Sequence, residues 1–171
     1  MRVVFLGLVS ALALAGAAKA AAPTDAELTA PIHQFFDAFG KGDMAGATAA
    51  YAPVDLTIVD ELPPYIWRGP DALKAWAADL GKDDANRGLT EPAVTLGEVF
   101  RTEVTGDKAY VIIPAIFAYK EHGAPMHDPA RMTFTLTHGD GGWKITSWTW
   151  TGPKPVEGPP HAAAAQQPVK P

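Results

Sequence analysis

The chain contains no cysteine among its 171 residues. Disulfides, a thiol nucleophile and thiolate metal ligands are therefore excluded, and packing alone must stabilise the fold. A basic excess is missing too: 14 Lys and Arg stand against 19 Asp and Glu, for a net charge of −5. Nucleic acids and anionic membrane surfaces are bound through basic patches, so neither partner is expected. No apolar run reaches the roughly 20 residues of a spanning helix. The sequence has no Gly-x-Ser-x-Gly and no dinucleotide fingerprint. Gly139–Gly142 lacks the Lys-Ser/Thr of a phosphate loop and reads as a turn. Neither a cofactor nor a metal is expected.

What is present begins with an export signal. Arg2 precedes the nearly unbroken apolar stretch Val3 to Gly16, and Ala18-Lys19-Ala20 follows. A positive start, an apolar middle and small residues at −3 and −1 are the three parts of a secretory leader. Cleavage after Ala20 would place the protein in the periplasm or outside the cell, with no stable membrane insertion afterwards. The remaining 151 residues carry 12 basic and 19 acidic side chains, a net charge of −7. That length supports one domain with a real core. The predicted organisation is a leader at 1–20, a domain at 21–152, and a Pro- and Ala-rich tail at 153–171 whose composition predicts disorder.

Within the domain, Thr24 or Asp25 can cap a first helix, with Glu27 in its first turn. Ile32, Phe35, Phe36 and Phe39 follow helical spacing. Gly40-Lys41-Gly42 stops that helix, and Asp43 caps a second, short one through Tyr51. Val54 to Asp60 is rich in β-branched residues and predicts a strand; Tyr65-Ile66-Trp67 is a short extended piece. Leu73, Trp76, Ala77 and Leu80 give a third helix its apolar face, and Asp83 to Gly88 reads as a polar loop. Four long strands follow: Val94–Val104, Lys108–Lys120, Arg131–His138 and Trp143–Thr151. Helices segregated from an antiparallel sheet define an α+β protein.

Four segments in order carry a resemblance. Phe35-Phe36-Asp37-Ala38-Phe39-Gly40-Lys41-Gly42-Asp43, then Trp67-Arg68-Gly69-Pro70-Asp71-Ala72-Leu73, then Gly106-Asp107-Lys108-Ala109-Tyr110, then Gly142-Trp143-Lys144-Ile145 resemble the helix junction, strand-to-helix joint and two hairpins of nuclear transport factor 2-like (SnoaL-like) proteins. The match runs from about Asp25 to Gly152. It implies a cone: a curved antiparallel sheet wrapped around three N-terminal helices, with an internal pocket. The family holds ketosteroid isomerases, cyclases, dehydratases and members without known activity, so fold alone does not select a reaction.

The resemblance places Asp60 where ketosteroid isomerases carry their carboxylate base. It puts Phe35 in place of their oxyanion-hole tyrosine, and their second acid near Met132. With both oxyanion donors missing, an isomerase of that mechanism is not expected. A carboxylate in apolar surroundings still suits proton abstraction beside a carbonyl. The bland reading of Asp60 is a strand-end acceptor for nearby backbone N–H groups. Glu61, on strand alternation, would point away from it.

Phe35, Tyr65, Trp67, Ser147 and Thr149 are the candidate ligand contacts. Tyr65 and Trp67 fall near the pocket mouth in this family, and the family register turns Ser147 and Thr149 inward. Trp76 falls near the same mouth in this family, and on a helix's apolar face core packing is its first reading. His122, His127 and Asp128 could bind a metal, but a solvated hairpin is the default reading.

The strand Lys108–Lys120 is apolar on both faces, Tyr110, Ile112 and Ile116 on one and Val111, Ile113 and Phe117 on the other. Helices cover only one face. With Trp148 and Trp150 predicted outward, the uncovered face predicts a homodimer. Three functions stay open: a periplasmic pocket protein binding a small apolar or aromatic molecule, an acid–base isomerase, cyclase or dehydratase using Asp60, and a dimerisation module without a ligand.

Overall fold

The computed structural model describes residues 22–54 and 56–160. The leader and the end of the tail lie outside the described residues. Helix α1 spans Asp25–Gly40 and starts on a complete capping box. The Thr24 hydroxyl accepts from the Glu27 N–H at 3.3 Å, and the Glu27 carboxylate accepts from the Thr24 N–H at 2.7 Å. Asp43 caps α2, Met44–Ala49, by accepting the Gly46 N–H at 2.9 Å. The third helix, α3, spans Ala72–Arg87, so the expected polar loop at Asp83–Gly88 is its last turn. Asp83 and Arg87 pair there at i, i+4, which lets a polar segment stay helical. Gly88 ends the helix in the left-handed region, with φ +61°.

The strands are β1 Leu56–Val59, β2 Ile66–Gly69, β3 Leu89–Leu96, β4 Arg101–Thr105, β5 Lys108–Glu121, β6 Ala124–Gly139, β7 Gly142–Thr151 and β8 Val156–Glu157. They form one sheet in the order β2-β1-β7-β6-β5-β3, with β4 also on β5 and β8 on β6. Every pairing is antiparallel except β1 with β7, which is parallel. The expected first long strand is divided into β3 and β4. The predicted disorder of the tail needs correction at its start. Val156–Glu157 pairs with Met126 and His127, and the Gly158 N–H reaches the Pro125 carbonyl at 2.8 Å. Proline limits ladder donors but does not prevent a two-residue edge strand.

The sheet curves around α1 and α3 without closing. Leu28, Ile32 and Phe35 of α1 and Leu73 and Trp76 of α3 meet Val111, Ile113, Met132, Phe134, Leu136, Ile145 and Trp148 in one core. One irregularity decides which β7 side chains join it. Thr135 pairs with Ser147 and Leu136 with Ile145, so Thr146 is an extra residue, a β-bulge. Ile145 and Trp148 can then both face inward, 0 % and 2 % exposed, although they are three residues apart.

Candidate active site at the open end of the sheet

The bulge overturns the expected orientation of β7. Trp148 and Trp150 do not lie on the outer face. Trp148 sits across from Phe134 and packs on Phe35 and Trp76, with ring centroids 6.3 and 5.1 Å away. Its indole N–H donates to the Tyr51 hydroxyl at 2.9 Å. Trp150 sits across from the inward Met132 and packs against the core. Ser147 and Thr149 point outward instead: they pair with Thr135 and Thr133, which alternate with buried Phe134 and Leu136. The Ser147 hydroxyl lies 2.6 Å from that of Thr135, in an outer band of hydroxyls that cannot touch an interior ligand.

The other candidate contacts separate as well. Phe35 is 0 % exposed and ringed by Phe36, Phe39, Tyr51, Trp76 and Trp148, so it is core. Trp67 is 6 % exposed, with its indole N–H donating to Asp79 at 3.0 Å, and it fastens β2 to α3. Tyr65 is 58 % exposed in a turn with φ +73°, and its ring stands in solvent.

Asp60 follows β1 directly, its N–H bonded to the Tyr65 carbonyl at 3.1 Å. Its carboxylate is half-buried. Oδ2 accepts from the Trp76 indole at 2.7 Å and Oδ1 from the Glu61 N–H at 2.7 Å. Burial raises its pKa above the ordinary 3.8, and bonds from Trp76 and from the Glu61 and Leu62 backbone oppose the rise. Trp76, expected first as core and second at the pocket mouth, is buried and also orients Asp60. The backbone-acceptor role is present alongside, through Glu61.

The structure adds a second acid. Asp128 lies on β6, across from half-buried Phe117 on β5. It is 2 % exposed, so the expected solvated hairpin at His122, His127 and Asp128 is not what forms. The turn is confined to His122 and Gly123, with φ of 50° and 86°, and β6 has already begun by Asp128. His127 is 6 % exposed, and its Nδ1 lies 2.9 Å from the Gly158 carbonyl. A carbonyl only accepts, so Nδ1 carries the hydrogen. Among the described residues no group of three or more His, Asp or Glu is arranged to hold a metal ion.

Oδ2 of Asp128 accepts from the Trp150 indole at 2.9 Å, while Oδ1 is buried with no donor. Glu61 does not point away: its carboxyl is near enough to that of Asp128 to raise the Asp128 pKa. The chain has left β1 at Val59, so strand alternation no longer governs Glu61. Burial, then Glu61, then the charge of Asp60 push Asp128 up to about 8, against the opposing bond from Trp150. Tyr119 closes the β5 side, its hydroxyl accepting from Arg87 at 2.7 Å. The end of the sheet thus holds two carboxyls whose pKa burial raises, each held by an indole. An open groove of about 490 Å³ between α1 and the β3–β4 connection, lined by Thr29, His33, Glu98 and Ile113, lies apart from these groups.

Asp128 was hidden in the sequence, because nothing local marks a strand-borne aspartate as buried. A usable signal was parity: Asp128, Ala130, Met132, Phe134 and Leu136 share one face of an uninterrupted strand.

No protein-family model and no curated protein matches this chain. Solved structures do match it. One is a nuclear transport factor 2-like protein with a cystatin-like fold from Novosphingobium aromaticivorans, 17 % identical with a TM-score of 0.60, over 82 % of this chain and 87 % of that one. A nuclear transport factor 2-like superfamily protein from Salmonella enterica is 16 % identical with a TM-score of 0.60, over 75 % and 89 %. A ketosteroid isomerase-like protein from Erwinia carotovora is 19 % identical with a TM-score of 0.56, over 76 % and 96 %. The chain has the nuclear transport factor 2-like fold.

Proposed function

We propose that this protein binds a small, flat, largely apolar molecule at the open end of its sheet and transfers a proton with Asp60 as base. The observation that carries this reading is the Asp60 carboxylate itself. It is half-buried, aimed by a 2.7 Å indole bond, and made more basic by its burial. Such a group accepts a proton near neutral pH better than a solvated carboxylate does. Phe117, Tyr119 and Trp150 supply aromatic walls nearby. The likeness to a ketosteroid isomerase-like protein is compatible with the reading and does not select the substrate.

Deuterium uptake at the carbon beside the carbonyl of 2-tetralone, followed by NMR in D₂O, tests it. The protein should accelerate uptake over buffer, and Asp60→Asn should reduce the acceleration by about 100-fold or more, since the amide takes no proton. Full exchange in the Asn variant would overturn Asp60 as base. Saturable quenching of tryptophan fluorescence by 2-tetralone without exchange would instead favour a ligand-binding protein. That second reading is supported by Phe35, which puts no hydrogen-bond donor on α1 beside the site.

Export with cleavage after Ala20 and self-association through the outer face belong to the same proposal. The dimer no longer rests on Trp148 and Trp150. It rests on Tyr110, 36 % exposed, and Ile112, beside the hydroxyl band. Material recovered from the periplasm should begin at Ala21 and scatter light as twice the chain mass. A monomer would remove the dimer, and an intact leader would remove the export.

A further inference from the structure

The groove between α1 and the β3–β4 connection is built by a break in the sheet edge. The Gly97 N–H reaches the Pro114 carbonyl at 2.8 Å, and the Phe100 N–H reaches that of Ile112 at 2.9 Å. Glu98 and Val99 therefore stand against Ile113 alone, a bulge that bends the strand. On the opposite wall, Thr29 and His33 lie one turn apart on α1 and share a face. The Thr102 hydroxyl donates to the Asp25 carboxylate at 3.0 Å and fastens the start of α1 to β4. Ile113 is 1 % exposed, so the groove reaches the core. Its volume of about 490 Å³ falls within the roughly 300–1,000 Å³ of small-molecule sites.

We propose that this groove is a second binding site, separate from the one at Asp60, and that it takes a small organic cation: an amidine or amine on a compact apolar body. The polar side chains of its walls are acceptors. Glu98 is exposed, and among the described residues it has no hydrogen bond or ion pair. The carboxylates before and after it on this edge are paired, Glu91 with Lys120 and Glu103 with Arg101. Thr29 is 7 % exposed and gives its hydroxyl hydrogen to the Ala26 carbonyl at 3.4 Å, which leaves its oxygen only lone pairs to offer. His33 is exposed and has no partner among the described residues either. A neutral imidazole adds one accepting nitrogen.

A ligand that satisfies these acceptors carries several N–H groups, and the one carboxylate charge selects a positive one. Among the described residues no Lys or Arg lines the groove, so an anion of the same shape would meet Glu98 without a compensating cation. The net charge of −5 adds a field that favours a cation over the whole surface. Leu96 and Val99, both half-buried, and the Ile113 floor give the apolar body its contact. Solvent screens Glu98 at the rim, so the charge sets which ligand binds and the apolar floor adds the affinity that an exposed ion pair lacks.

Benzamidine is the probe, a planar fork of N–H donors on an apolar ring, and benzoate has the same shape with the opposite charge. In ¹H–¹⁵N NMR of the labelled protein, benzamidine should shift the amides of Glu98, Val99 and Ile113 saturably and leave the indole signals of Trp76 and Trp150 in place. Benzoate should shift none of them. Glu98→Gln, a change at an exposed position that the fold tolerates, should weaken benzamidine by about 10-fold, the loss of one charge-assisted bond. Added salt should weaken it as well. Absence of a saturable shift at Glu98, Val99 and Ile113 overturns the site. Binding of benzoate as tight as that of benzamidine, or benzamidine binding indifferent to Glu98→Gln, overturns the cation as its ligand. Shifts centred on the Trp76 and Trp150 indoles put benzamidine beside Asp60 and Asp128 and overturn a second site. The proton-transfer reading stands or falls separately, on 2-tetralone exchange.

Discussion

Trp148→Ala is expected to destabilise the protein by about 3–5 kcal/mol, the range for truncating a large buried aromatic. The residue is 2 % exposed and joins three parts of the core. Its ring meets Trp76 of α3 edge-on at 5.1 Å and Phe35 of α1 at 6.3 Å. Its N–H is the donor to Tyr51, whose hydroxyl is buried enough to raise its pKa. Truncation opens a cavity between both helices and the sheet, and it leaves that hydroxyl without its donor. Urea unfolding should show a large fall in midpoint at unchanged slope. Thr149→Ala, one residue along and outward, should stay within about 0.5 kcal/mol. The pair of measurements checks the bulge directly. Unbroken alternation from Ile145 would turn Trp148 out and Thr149 in, and the two effects would exchange size.

That bulge also shows where sequence reasoning reached its end. Helical spacing of Ile32, Phe35 and Phe39, the Thr24 and Asp43 caps, and the Gly106-Asp107 turn all act through local backbone chemistry. They were legible for that reason. Alternation is local as well, but it holds only while the ladder is regular. One extra residue at Thr146 reverses every side chain after it, and threonine in a run of Ile, Thr, Ser and Trp carries no mark of a bulge. Four site assignments depended on that parity. Asp60 was found through the family resemblance, which sets a carboxylate just after the first strand, whereas its partner Trp76 was read first as core. An indole on a helix's apolar face looks the same in sequence whether or not its N–H meets a carboxylate 16 residues earlier. Asp128 needed the three-dimensional meeting of β6, β7 and the Asp60–Glu61 corner, which no spacing encodes.

Stability is expected to fall as pH rises from about 5 to about 8, and Asp128 is the reason. Its pKa is raised from 3.8 to about 8 in the folded protein. Between those values the native state keeps a proton that the unfolded chain has released. Unfolding then releases a proton, and stability declines with increasing pH. Each unit of pKa difference is worth about 1.4 kcal/mol, so even half of this shift corresponds to ~3 kcal/mol across the window. Asp60, raised by burial, acts in the same direction. Groups shifted downward oppose it only at lower pH. Asp79, held down by Trp67, and Glu121, held down by Arg87, contribute stability that is lost as pH falls toward their folded values, below the window considered. Asp128→Asn should remove the slope. The amide cannot ionise, and its oxygen still accepts from Trp150. At pH 8 the variant should be the more stable of the two, and at pH 5 the two should nearly coincide. Urea midpoints measured at half-unit steps decide it: a wild-type midpoint that is flat or rising between pH 5 and 8 would mean that Asp128 is ionised in the folded protein.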